Sequence, residues 1–288
     1  MEIKNYPDSH YEKMRFAVFV FAVFVLIFHF YSNTLLHQLC SPVFVFPEAD
    51  NTYWLFHLLN IPKFFVSNYW TSFAFDSLFF LFAILSLIYR RNRIFPILFW
   101  IFLIIYFICL NTFLCHHVHM LVGLIFIIIP FVADKKHFAF LWDGVRYYAL
   151  FIYVSSALWK ICRGNLFDEE HFSAILHEQS INLLSVSPSD FRTGLIQYLL
   201  QHQTSSYIAD LLGIIFQLSF GIGFFTKRFD RILIVIGIAF HLFTYLLMDI
   251  LYIELFVLYL TMIPMKDKMG KESLLSKRKH AILNYFWS

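Results

Sequence analysis

Residues 206–248 read SYIADLLGIIFQLSFGIGFFTKRFDRILIVIGIAFHLFTYLLM. Two apolar runs, 207–226 and 232–248, flank the charged turn KRFDR. Each is close to the roughly 20 residues an α-helix needs to cross the ~30 Å hydrocarbon core of a bilayer. The runs are too long, and too poor in alternation, to be strands of a membrane barrel. Outward from this stretch the same unit recurs at 16–38, 69–89, 94–112, 118–133, 147–163 and 250–265. The predicted fold is therefore all-α: an integral membrane bundle of about eight transmembrane helices. Residues 1–265 form one polytopic domain, and 266–288 form a basic cytoplasmic tail.

Composition points the same way. Apolar residues make up 60% of the 288 and charged residues 14%, against about 45–50% and about 25% in a soluble domain. That excludes a soluble globular enzyme, and the ample apolar surface excludes disorder. A net charge of +3 is too small to suggest a nucleic-acid partner. Cys40, Cys109, Cys115 and Cys162 show no paired spacing, so neither a zinc site nor a disulfide framework is expected. The first run is too long for a cleavable signal peptide, and no small-residue cleavage site follows it.

The basic residues orient the bundle. With the N-terminus inside, the inner segments are 1–15, 90–93, 134–146, 227–231 and 266–288, and they hold eighteen of the 22 Lys and Arg. The outer segments hold Lys63, Arg163 and Arg192, and Lys160 is left within a span. This follows the positive-inside rule at every boundary and places both termini inside. In the outer loop 164–206, residues 168–178 and 190–202 have amphipathic spacing and are predicted to be two interfacial helices. The tail is expected to rest on the inner surface of an anionic bilayer.

Ionisable groups within spans cost about 2.5–3.5 kcal/mol each at a helix centre. The candidates are His29, Asp76, His116, His117, His119, Lys160, Asp210, His241, Asp249 and Glu254. The topology puts most of them, from five spans, in the outer half of the membrane, as a buried site requires. Lys160 stands among weakly polar neighbours in YVSSALWKIC. Apolar surroundings favour a neutral amine over an ammonium, and a neutral amine can act as general base. Equally, Lys160 lies near a span end and can snorkel to the interface. His241 has an alternative as an inter-helix hydrogen bond, and Asp210 and Glu254 as partners of Lys160 or a histidine. His29 and Asp76 read as packing groups. The HHVH run at 116–119 lacks the i,i+4 pairing of a metal site and has no carboxylate beside it, so no metal is expected.

Taken together, IYVSSALWKI (152–161), LLSVSPSDF (183–191), SYIADLLGIIFQLSFGIGFF (206–225) and IAFHLFTYLLM (238–248) resemble the membrane core of vitamin K-dependent gamma-carboxylase. The wider group sharing that core is the horizontally transferred transmembrane domain family. The motifs cover over a third of the chain in the family's order, and the first 146 residues match more loosely. The resemblance implies that Lys160 is the base that deprotonates reduced vitamin K or a related quinol. His119 falls near the family's asparagine–histidine pair, with Val118 in place of the asparagine and His117 as an alternative. Asp210 matches the family's aspartate and His241 its FH motif, in positioning roles. The implied chemistry uses oxygen and carbon dioxide as co-substrates. The quinol anion reacts with oxygen, the strong base so formed takes a proton from a peptide glutamate or similar substrate, and the carbanion captures carbon dioxide. This is carbon–carbon bond chemistry of the lyase or ligase type. The site would face the extracytoplasmic half of the membrane (the inner membrane, in a bacterium), with the bilayer, a lipid quinone and a peptide or protein at the outer face as partners. The chain looks like a short member of the family, without the soluble C-terminal region of full carboxylases.

Two other functions fit the residues without this chemistry. One is a non-catalytic factor for maturation or export of a secreted peptide, gripping its partner through 164–206. The other is a small-molecule transporter, which would carry polar groups into the inner half and show inverted repeats; the sequence has neither.

Overall fold

The apolar runs leave the backbone no partner but itself, and the chain folds accordingly into helices. The computed structural model describes residues 8–39, 58, 64–65, 68–113, 121–186, 190–248, 250 and 252–263, and these contain no strand. Among the described residues nine α-helices follow in order: α1 Asp8–Tyr31, α2 Tyr69–Ile88, α3 Ile94–Phe113, α4 Val122–Val132, α5 Phe138–Cys162, α6 His171–Val186, α7 Phe191–Gln201, α8 Gln203–Ser219 and α9 Asp230–Met248. A 3-10 turn, Phe220–Phe224, extends α8, and a ten-residue 3-10 helix, Ile253–Met262, follows α9. Among the described residues four segments are long and apolar enough to cross a membrane: His10–Tyr31, Tyr69–Ile88, Gln203–Phe224 and Asp230–Met248. They make this a multi-pass membrane protein. Ile94–Leu110, Val122–Val132 and Ile253–Met262 are apolar but shorter.

Several elements differ from the hydropathy reading. The run at 16–38 stops being helical at Tyr31, because Asn33 adopts a left-handed backbone (φ 56°) and Thr34 N–H turns back to the His29 carbonyl. Residues 35–39 then fold as a buried turn. Helix α5 begins nine residues before the expected 147. The charges that hid this are neutralised: Asp143 pairs with Lys227 at 2.6 Å and Arg146 with Asp230 at 2.5 Å. The amphipathic stretches at 168–178 and 190–202 are α6 and α7, and α6 runs on to Val186.

Helix α5 is the hub, touching α4, α8, Phe220–Phe224 and Ile253–Met262. One core cluster extends from α1 through Ile253–Met262. A smaller one joins Phe172 and Leu176 of α6, Leu199 of α7, Ala209 of α8 and Leu247 of α9. The most confined of the described glycines is Gly237, where an added Cβ would collide with the Tyr259 hydroxyl.

Three arginines tie this frame. The Arg15 guanidinium donates to the carbonyls of Ser86 (3.3 Å), Tyr89 (3.0 Å), Arg90 (2.5 Å) and Asn92 (2.7 Å), at and beyond the end of α2. Arg146 is bidentate to Asp230 and also reaches the Gly223 carbonyl at 2.9 Å. Arg192 donates to the carbonyls of Tyr245 and Leu246, near the end of α9. Arg15 and Arg146 stand among the basic residues of the inner segments by sequence, yet both are fully buried. Their charge is used to satisfy carbonyls and a carboxylate inside the protein.

Candidate functional site

Four helices and one turn enclose a cavity of about 300 Å³. Helix α5 ends there, so Ser156 and Lys160, one turn apart, share the face turned to it. Helix α8 contributes Asp210, Gly213 and Gln217 at i, i+3 and i+7. Helix α9 supplies Phe240, Phe243, Thr244 and Leu247, and α6 supplies His171, Phe172, Ile175 and Gln179. Gly164, with φ 87°, ends α5 and turns the chain so that Asn165 also reaches the cavity. Tyr207 fixes that turn by donating to the Leu166 carbonyl at 2.7 Å. The smaller apolar cluster seats α6 and α7 over α8 and α9, closing the cavity on that side.

The polar atoms are few and incompletely partnered. Among the described residues no hydrogen bond or ion pair engages the Lys160 amine, although Asp210 lines the same cavity. Asp210 is 6% exposed, and its Oδ2 has no hydrogen-bond partner among the described residues. Gln217 Nε2 donates to Ser156 Oγ at 3.3 Å, while Gln217 Oε1 is buried and unpartnered. Asn165 Nδ2 donates to His171 Nε2 at 2.7 Å, which leaves the proton of a neutral imidazole on Nδ1. A buried acceptor without a donor is costly, on the order of 1–3 kcal/mol. Two such acceptors and a free amine around apolar walls are the makings of a small-ligand site.

His241 lies beside this cavity rather than in its lining. Its Nε2 is 2.7 Å from the Tyr153 hydroxyl, which is 2.5 Å from the Tyr259 hydroxyl. All three side chains are buried, and His241 Nδ1 has no hydrogen-bond partner among the described residues. Its ring meets Phe240 and Tyr252, which do line the cavity, edge to face. Glu254 belongs to a third cluster. It sits 3.2 Å from His29 Nε2, with both side chains fully buried. His29 Nδ1 is 2.7 Å from Thr34 Oγ1, and Tyr106 donates to the Thr34 carbonyl. Asp76 accepts from the backbone of Leu36 and His37 and from the His37 ring at 2.7 Å. His116, His117, His119 and Asp249 lie outside the described residues.

The cavity thus joins Lys160 and Asp210, sets His241 one ring away and leaves Glu254 with a histidine. Ser156, Asn165, His171, Gln217 and the tyrosine pair escaped the sequence reading. Spacing held a partial signal: Tyr153, Ser156 and Lys160, like Asp210, Gly213 and Gln217, fall at i, i+3 and i+7. Tyrosine counts as apolar in hydropathy, so the Tyr153–Tyr259 link left none. Compared with known protein families, with curated proteins and with solved structures, the chain gives no match.

Proposed function

We propose that this chain is a membrane enzyme of quinone-linked base chemistry, like the membrane core of vitamin K-dependent gamma-carboxylase. The observation that carries the reading is the cavity itself: a lysine amine with no ion pair among the described residues, lining the same apolar walls as buried Asp210. At about 300 Å³ the cavity is at the small end of ligand sites, which run roughly 300–1,000 Å³. It fits a ring head group, with any isoprenoid tail left to the bilayer. A reduced quinone, when bound, supplies an oxidisable ring whose reaction with oxygen generates a strong base.

The residues have distinct tasks. Lys160 takes the proton of one ring hydroxyl. Asp210 Oδ2 and Gln217 Oε1 accept from other ligand donors, and Asp210 balances the ammonium that forms. Phe172, Phe240 and Phe243 flank the ring and keep water from the amine. His171 offers its Nδ1–H to a ligand oxygen, and His241 holds the α5–α9 wall through Tyr153. His117 or His119 would serve the later carboxylation of a peptide glutamate.

The same reading takes all eight apolar segments as crossings, with both termini inside and α6 and α7 lying at the outer interface. The turns of the basic segments support it. They are linked to one another at one end of the bundle by Arg93–Asp134, Lys227–Asp143 and Arg146–Asp230. The cavity lies at the opposite end of α5.

The test is epoxidation of reduced vitamin K by the purified protein with oxygen, labelled bicarbonate and a glutamate peptide. Wild type should form epoxide and Lys160→Ala at least 100-fold less, the scale of a lost general base. Label in the peptide would then establish carboxylation. Full activity in Lys160→Ala would remove Lys160 from the chemistry. Function lost on changing 164–206 but kept in Lys160→Ala would instead favour a peptide-maturation factor.

A further inference from the structure

The turn between α2 and α3 is held from one side by Arg15, which donates to the carbonyls of Tyr89 and Arg90. In a trans peptide, C=O and N–H point in opposite directions. The N–H groups of Arg90 and Arg91 therefore face away from Arg15, and neither meets an acceptor among the described residues. Beside this turn is a second cavity, about 430 Å³, lined by Glu12, Ile88, Tyr89, Arg90, Arg91 and Asn92. It lies at the end of the bundle opposite Lys160. Among the described residues neither Arg90 nor Arg91 is paired with a carboxylate. The Arg90 guanidinium lies 4.8 Å from the centre of the Phe16 ring, which fixes it over an apolar surface. Phe16 and Ile88 are exposed beside it, and Ile94 is exposed at the start of α3.

We propose that this cavity binds the phosphate of a membrane phospholipid. Two guanidiniums and two outward N–H groups form an anion cradle of the kind that successive backbone amides make in a turn. Glu12 adds a requirement. A bare phosphate would be repelled by it, whereas a head group carrying a hydroxyl or ammonium beyond the phosphate gives it a donor. The exposed Phe16, Ile88 and Ile94 then lie where the acyl chains leave the head group. The ligand class is a glycerophospholipid with a donor-bearing head group, such as phosphatidylglycerol or phosphatidylethanolamine. Basic pockets between transmembrane helices take lipid head groups by the same physics.

The test is native mass spectrometry of the intact protein in detergent, titrated with phosphatidylglycerol, phosphatidic acid or inorganic phosphate. Wild type should retain one phosphatidylglycerol, and R90Q/R91Q should bind it at least ten-fold more weakly. K135Q/K136Q, which removes the same charge at another basic turn, should bind as wild type does. Glu12→Gln keeps the cradle and should raise phosphatidic acid binding at least three-fold, a gain that misfolding cannot produce. Equal retention by R90Q/R91Q and wild type would overturn the proposal. So would an unchanged head-group preference in Glu12→Gln. Phosphate alone displacing the lipid at equal concentration would reassign the cavity to free anions.

Discussion

Arg15 presents its guanidinium to a helix end whose last carbonyls have no partner within the helix. Four of its contacts are hydrogen bonds to carbonyls, and the side chain is buried. Hydrogen bonds to a charged group contribute about 1.5–3 kcal/mol each, so Arg15→Met should lower stability by on the order of 3 kcal/mol or more. Arg15→Lys should restore little, since an ammonium has three donors and no planar fork. Unfolding in mixed micelles would measure both. Arg146 and Asp230 give a sharper test. Asp230→Asn leaves a buried guanidinium unpaired and should cost about 3–5 kcal/mol, whereas Arg146→Met with Asp230→Leu should recover most of it. If the double variant were as unstable as the sum of its singles, the pair would carry no coupling. In the sequence both arginines read as loop charges, because counting charge at turns cannot distinguish a solvated guanidinium from one buried against carbonyls. Lys160 was legible because a charge inside an apolar run has few explanations.

Helix packing decides what hydropathy leaves open. Gly237 stands where α9 meets Tyr259, and its missing side chain is what admits the tyrosine hydroxyl one turn from His241. Gly237→Ala should cost about 1–3 kcal/mol, the usual scale of overpacking, and should loosen the His241–Tyr153–Tyr259 chain. Tyr259→Phe added to it should return part of that loss, read as a thermal midpoint by tryptophan fluorescence. Element existence was largely legible: α2, α3 and α9 lie within a few residues of their apolar runs. Element ends were less so. The start of α5 was hidden by Asp143 and Arg146, which are tolerated only because residues 84 positions later neutralise them. The early end of α1 was hidden because Leu35, Leu36 and Leu39 are as apolar in a turn as in a helix.

For the molecule as a whole, orientation is open to direct measurement. Cys162 is free and exposed at the cavity end of α5, while Arg91 is exposed at the opposite end. A variant keeping Cys162 alone should react with an impermeant maleimide on intact cells. A variant with its single cysteine at Arg91→Cys should react only after permeabilisation. The reverse pattern would invert the topology and move the cavity to the cytoplasmic side. The alternation of charge and apolar run was readable along the chain, but the sharing of polar groups among three clusters was not, since it depends on which helices meet. One element governs that sharing. The 3-10 helix Ile253–Met262 advances about 120° per residue, against about 100° in an α-helix. Over the five residues from Glu254 to Tyr259 the two geometries diverge by about 100°. Glu254 faces His29 of α1, and Tyr259 faces Tyr153 of α5. The segment thus acts as a fixed angular key between the two halves of the bundle. Rewinding it to an α-helix would preserve one of these contacts only by turning the other away, so it is the 3-10 winding that lets the His29 and His241 clusters form together.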